Sequence, residues 1–246
     1  MDIAKVVFAA LLPVIILVFY ICHKDKNQPE PTGQLLKAFF LGVLSVLASF
    51  FISIPLGVCG FYPDDPTTIL GAISLSFFGA AIPEEIAKFV MLWLLLRRNK
   101  YFDEKMDGIV YAVCVSLGFA ALENVMYLFG NYDSYLSVGI ARAIFSVPGH
   151  FCFGILMGYY YSLAKFYPKA SKRNKALILI APIFAHGLYD SILFIMEVTP
   201  SALNIVLMIV FLIFCYKMWK YGSKKIKEHL ERDKQEAALE QDLLYQ

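Results

Sequence analysis

Seven stretches of this chain are too long and too apolar to be covered by anything but lipid and one another. A helix needs about 20 mostly apolar residues to cross about 30 Å of hydrocarbon. Stretches that qualify fall at about 4–22, 34–58, 67–97, 108–130, 136–165, 176–197 and 202–219. Of the 246 residues, 59% are hydrophobic and 17% charged, against about 45–50% and about 25% in a soluble domain. The expectation is an all-α, polytopic membrane helix bundle of about seven transmembrane helices. It divides into a membrane domain over 1–222 and a polar tail over 223–246, rich in helix formers and expected as a solvated cytoplasmic helix. The first stretch lacks the flanking charge and small-residue cleavage site of a signal peptide, so it counts as a helix. Pro83 and Pro148 lie inside the two longest stretches and are expected to kink or break them.

Orientation follows from the cations, because cytoplasmic loops carry the excess of lysine and arginine. Eighteen of the 22 sit at alternate helix ends: Lys24 and Lys26, then Arg97 to Lys105, Lys165 to Lys175 and Lys217 to Lys234. The intervening loops, 59–66, 131–135 and 198–201, contain none. The N-terminus is therefore expected outside and the C-terminus in the cytoplasm. A net charge of +2 gives no case for nucleic-acid binding. Cys22, Cys59, Cys114, Cys152 and Cys215 are scattered without a CxxC pair, which excludes a secreted disulfide scaffold.

Ionisable groups inside the hydrocarbon are costly and tend to be functional. Here they are Glu84, Glu85, Lys88, Glu123, Arg142, His150, His186 and Asp190. At about 1.5 Å per residue, Glu85 lies roughly 18 Å from the cytoplasmic end of its helix, and Glu123 and His150 roughly 22 Å. His186 and Asp190 lie roughly 15 and 21 Å up theirs. Groups at a common depth on separate helices suggest one site. His186 and Asp190 are four apart and share a helix face, as do Phe119, Glu123 and Tyr127. Glu84 and Lys88 have the same spacing and are expected to pair, which would turn Glu85 about 100° away. Pro83 is placed for the first turn of a restarted helix, whose positive end would favour the two carboxylates.

Four carboxylates against Lys88 and Arg142 leave −2 with neutral histidines. Such a charge calls for protons, water or a cation, and one divalent metal would cancel it. Two histidines with carboxylates make a plausible zinc set, with a further carboxylate as base toward bound water. Competing structural readings exist for several residues. His186 with Asp190 can serve as an interhelical hydrogen-bonded pair, and Arg142, near its helix end, can snorkel outward. Lys88 can simply neutralise a glutamate, and Gly154 and Gly158 can form a packing face. The adjacent pair Glu84 and Glu85 is the hardest to explain as structure.

With these residues placed, the chain resembles the PrsW family of intramembrane proteases, related to the CAAX prenyl endopeptidases and bacteriocin-processing membrane proteins. The resemblance runs over about residues 30–200 and rests on PEEIAKF (83–89), DGIVYAVCVSLGFAALENVMYL (107–128), ARAIFSVPGHFCFGILMGYYY (141–161) and AHGLYDSILF (185–194). It implies that Glu84 and Glu85 are the catalytic pair and that Glu123, His150, His186 and Asp190 complete the site. Lys88, Asn124 and Arg142 are then supporting residues. Where prenyl endopeptidases place asparagine this chain has Asp190, and where they place a histidine after phenylalanine it offers Phe119 with Glu123.

The expected chemistry is hydrolysis of a peptide bond by water that Glu85 or Glu84 deprotonates. Glu123, His150 and His186 would hold zinc or another divalent metal, or position the water, while Asp190 orients His186. The resemblance implies a single-pass substrate in the lipid bilayer, an anti-sigma factor cut on its extracytoplasmic side, and a place in the bacterial plasma membrane. A proton-coupled transporter or channel built on the same buried carboxylates is the rival class. A prenylated or bacteriocin-like peptide is the rival substrate.

Overall fold

A computed structural model describes residues 3–167, 169 and 171–244, so residues 1, 2, 168 and 170 of the segment 1–222 and residues 245 and 246 of the segment 223–246 lie outside the described residues. Among the described residues all regular structure is helical. The order is α1 (Ile3–Lys24), α2 (Thr32–Val58), α3 (Ile69–Ser74), a π-helical stretch Leu75–Ala81, α4 (Ile82–Leu96) and α5 (Lys105–Gly130). A 3₁₀ turn at Tyr132–Ser134 leads to α6 (Tyr135–Ala141), a second π stretch Arg142–Ser146, α7 (Val147–Phe166), α8 (Ser171–Glu197) and α9 (Ser201–Leu244). Taken as continuous runs, seven of these helices are long and apolar enough to cross a membrane. The number agrees with the sequence expectation.

The two prolines widen their helices where a kink or break was expected. Each π stretch ends just before a helix whose first turn contains proline, Pro83 in α4 and Pro148 in α7. Proline has no N–H, so the i−4 carbonyls of Gly79 and Ile144 lose their usual donors. A π stretch lets the surrounding N–H groups reach one residue further back and keeps the helix continuous. It also rotates everything downstream relative to a plain α-helix.

The core sits around α5, which is buried continuously from Lys105 to Ala121. A helix that is apolar all round must be enclosed, and here α1, α2 and α7 enclose it. Close approach depends on absent side chains. A Cβ on Gly158 would stand 2.2 Å from the Gly108 carbonyl oxygen, and one on Gly118 would stand 2.0 Å from that of Phe39. Gly154 and Gly158 are thus the packing face of α7 on α5. Large apolar side chains such as Phe19, Phe51, Val58 and Ile205 are exposed on the outside of the bundle, where lipid rather than water is the compatible solvent.

The tail is helical and mostly exposed, and one face of it docks on the bundle. The last stretch does not end near residue 219; α9 runs on unbroken to Leu244. Ile226, His229 and Asp233 are buried on one face of it. Asp233 accepts hydrogen bonds from the backbone N–H groups of Lys105 at 3.0 Å and Met106 at 2.9 Å. The first N–H groups of α5 have no partners within the helix, and a carboxylate at that positive end is favourable. That requirement draws the polar tail onto the bundle.

Candidate active site

The first turn of α4 places Glu84 and Glu85 directly after the π stretch, and Lys88 follows one turn on. Lys88 is buried and sits at the centre of the site. Its Nζ donates to Glu85 Oε1 at 2.8 Å and to Glu84 Oε2 at 3.3 Å. It also lies 3.2 Å from His150 Nδ1 and 4.1 Å from the centroid of the Phe119 ring. The expected pairing of Lys88 with Glu84 is therefore present, but Glu85 does not turn away. It is the closer partner of Lys88 and is fully buried at 0% exposure.

His186, on α8, is held between carboxylates. Its Nδ1 lies 2.9 Å from Glu85 Oε1, and its Nε2 lies 3.2 Å from Asp190 Oδ2 and 4.0 Å from Glu84 Oε2. Phe153 stacks on the imidazole with 4.6 Å between centroids and 16° between planes. Carboxylate oxygens accept, so both ring nitrogens of His186 are set to donate. His150 on α7 has the opposite pattern. Lys88 can only donate to Nδ1, so Nε2 carries the proton and donates to Glu123 Oε2 at 2.9 Å. Ser116 fixes this turn of α7 by donating to the His150 carbonyl at 2.6 Å.

Arg142 does not snorkel. It lies in the second π stretch and turns inward, donating to Glu123 through Nη2 and to Asn124 Oδ1 through Nε at 2.6 Å. Its guanidinium carbon lies 4.0 Å from the centroid of the Tyr127 ring. Asn124 in turn donates to the Ala10 carbonyl of α1 at 3.1 Å. A two-pronged guanidinium that finds two acceptors inside is better satisfied there than at the interface.

The structure thus brings together Glu84, Glu85, Lys88, Glu123, Asn124, Arg142, His150, His186 and Asp190, all the residues singled out from sequence. Phe153 and Ser116 were not anticipated. Phe153 lies three residues after His150 and so shares its face, but an aromatic in an apolar run gives no signal of its own. A cavity of about 530 Å³ opens onto the cluster, lined by Glu84, Glu123, Tyr127, Arg142, His150, His186 and Asp190 and by apolar residues including Phe145, Leu193, Met208 and Phe211. Glu85 is not part of that lining.

Within this cluster two sets of side chains have donor atoms within 4.8 Å of one another: Glu84, Glu123 and His150, and Glu84, Glu85 and His186. The expected trio of Glu123, His150 and His186 is thus divided between two sets that share Glu84. Glu85 Oε2 is buried without a hydrogen-bond partner among the described residues. In either set two carboxylates and an imidazole fit a divalent metal such as zinc, and the unsatisfied oxygen belongs to the set with Glu85 and His186. If His150 held a metal through Nε2, its proton would move to Nδ1 and Lys88 would keep its hydrogen bonds to Glu84 and Glu85 alone.

Comparison with known proteins gives the family. Residues 30–216 match the model of a family described as PrsW family intramembrane metalloprotease. "Protease PrsW" of Clostridioides difficile (strain 630) is 36% identical over 231 residues, 92% of this chain and 91% of that protein. The proteins of the same name from Geobacillus kaustophilus (strain HTA426) and Bacillus subtilis (strain 168) are each 34% identical over 224 residues, 91% of this chain. These alignments cover 92% and 94% of the two relatives. No solved structure matches. The seven spanning helices and the bacterial relatives make this a multi-pass bacterial membrane protein, and the chain belongs to the PrsW family of intramembrane metalloproteases.

Proposed function

We propose that the chain is an endopeptidase that hydrolyses a peptide bond of a single-pass membrane protein, with Glu84 as general base. The observation that carries this reading is the cavity, which exposes Glu84 beside Glu123, His150, His186 and Asp190 while Glu85 is sealed beneath it. Glu84 Oε2 is held by Lys88, and Oε1 accepts no hydrogen bond from the described residues, which leaves it for the proton of an attacking water. The same carboxyl then carries that proton to the leaving amine. His186, fixed through both ring nitrogens by Glu85 and Asp190 and braced by Phe153, lines the cavity as an imidazolium whose positive charge favours the developing oxyanion. Arg142 and Asn124 hold Glu123 against His150, so that neither side chain swings into the substrate path.

Glu123 and His150, with one oxygen of Glu84, would hold the metal that the family description implies, and zinc suits that donor set. When bound, such a metal polarises the scissile carbonyl and acidifies a bound water. The other Glu84 oxygen remains for the proton. The lysine and arginine distribution supports an N-terminus outside and a C-terminus inside. In that orientation the first turns of α4 and α7 lie at or slightly outside the midplane of the membrane, which is compatible with cleavage on the extracytoplasmic side. A membrane-anchored anti-sigma factor cut on its extracytoplasmic side is the substrate class we infer from this placement and the family.

The test is co-reconstitution of the full chain with tagged single-pass proteins of this class, reading cleavage on immunoblots. Glu84→Gln is expected to reduce cleavage by about 10²–10⁴-fold, the usual contribution of a general base. Glu85→Gln retains an amide oxygen that accepts from His186 and is expected to lose less. The reverse order of the two variants would move the base to Glu85.

A further inference from the structure

A second group of ionisable residues lies at the other end of α5. Asp107 is sixteen residues from Glu123, about 24 Å along the helix at about 1.5 Å per residue. Asp25 follows α1, Glu30 precedes α2, Glu104 caps α5 and Asp107 stands in its first turn. Oxygens of Asp25, Glu104 and Asp107 lie within 4.8 Å of one another.

Most of these groups have an ordinary structural explanation. Glu104 and Asp107 form a capping box, in which each side chain accepts from the other's backbone N–H. Glu30 accepts from the Tyr111 hydroxyl, and Gln28 donates to Glu104. Asp25 has no such account. It is only 4% exposed, and its Oδ2 is buried with no hydrogen-bond partner among the described residues.

The neighbouring lysines make their hydrogen bonds elsewhere. Lys105 pairs with Asp233 and Glu236, and Lys165 donates to the Phe102 carbonyl. Among the described residues, none of Asp25, Glu30, Glu104 and Asp107 forms an ion pair with a lysine or arginine. A buried carboxylate with an oxygen within 4.8 Å of two others is strongly unfavourable unless protons or a cation relieve the repulsion. The donors are all oxygens, without imidazole or thiolate, which selects a hard cation over zinc.

We propose that Asp25, Glu104 and Asp107 bind one hard divalent cation of the Mg²⁺ or Ca²⁺ class. The site fastens the α1–α2 connection to the N-terminus of α5, the helix that carries Glu123. It is separate from the intramembrane cluster and requires none of its residues. The positive end of α5 opposes a cation there, and three carboxylates outweigh that partial charge.

The experiment uses the full chain in detergent, stripped with chelator, in a Glu84→Gln background so that the intramembrane carboxylates do not contribute their full metal set. MgCl₂ or CaCl₂ is titrated while melting temperature and heat of binding are recorded. The expected result is one cation per chain and a melting temperature higher by about 5–10 °C at a hundred-fold excess over Kd. Asp25→Asn keeps the shape of the buried side chain and removes a carboxylate ligand, so in chelator it is expected to melt close to its parent and to show no response to the cation. Glu104→Gln is expected to weaken binding at least about tenfold, and decides the matter if Asp25→Asn does not fold. Absence of heat and of any melting shift up to about 10 mM, above the range of weak Ca²⁺ sites, overturns the proposal. So does a full response retained in Asp25→Asn or, where that variant does not fold, in Glu104→Gln.

Discussion

Removing the ammonium of Lys88 tests the internal logic of the site most directly. Lys88 is 1% exposed and Glu85 is 0% exposed, with 2.8 Å between Nζ and Oε1. At an effective dielectric constant of about 20, that contact alone corresponds to roughly 6 kcal/mol of Coulomb energy. Desolvation offsets much of it, so the measurable quantity is the penalty for stranding the partner, about 3–5 kcal/mol for a buried pair. Lys88→Met strands Glu84 as well, and frees the Nδ1 contact of His150. In a chain of this size about 1 kcal/mol moves the melting temperature by about 2–4 °C, so a loss of roughly 6–20 °C is expected in detergent. Glu85→Gln alone is expected to cost less, because Lys88 keeps Glu84 and His186 keeps an acceptor. The double variant Glu85→Gln/Lys88→Met is then expected to be more stable than the sum of the singles by at least about 1 kcal/mol. Thermal unfolding of the four proteins completes the cycle. Additive effects, or Lys88→Met melting with the wild type, would refute the claim that this lysine neutralises the glutamate pair.

Three further outcomes follow from the same geometry. Arg142→Lys is expected to recover little of the cleavage lost in Arg142→Met, because an ammonium cannot serve Glu123 and Asn124 in the two-pronged arrangement of the guanidinium; full rescue by lysine would show that charge alone suffices. Elemental mass spectrometry of the purified protein is expected to find about one zinc per chain, lost in His150→Ala; retention in that variant would place the metal on the Glu84, Glu85 and His186 set. The last concerns the cation-stripped protein, in which burial followed by the nearby Glu30 and Glu104 charges pushes Asp25 up from 3.8 to about 8. Burial, with Asp233 and Asp103, raises Glu104 to about 7. In the window between about pH 4 and pH 8 the unfolded chain has released these protons and the folded chain still binds them. Their contribution to stability is therefore complete below about pH 4 and is lost as pH rises toward 8. Melting temperature in chelator is expected to fall across that window and to fall less in Asp25→Asn; a flat profile for the wild type would count against the clustering.

Much of the candidate site was legible because charge in an apolar span is conspicuous. Glu84, Glu85, Glu123, His150, His186 and Asp190 stand out from their surroundings, and depth along a helix follows from residue counting alone. Their pairing was less legible. Lys88 takes Glu85 as its nearer partner and reaches His150, sixty-two positions away in sequence. Arg142 turns inward because Asn124 and Glu123 of another helix offer it acceptors. Phe153 and Ser116 carry no charge and acquire meaning only from the imidazole and the carbonyl they touch.

The seven spans, their order and the lysine and arginine asymmetry are properties of the linear chain, because hydrocarbon thickness sets a length and lipid sets a composition that can be counted residue by residue. Tertiary structure alone decided which faces met. Each residue of helix turns the side-chain direction by about 100°, so the π stretches before Pro83 and Pro148 change which neighbours Glu84, Glu85 and His150 face. Tertiary structure also drew the polar tail onto α5, since its unpaired N–H groups needed an acceptor and Asp233 of α9 supplied one. Which partner satisfies a buried polar group depends on every helix that approaches it, and no single segment of sequence contains that information.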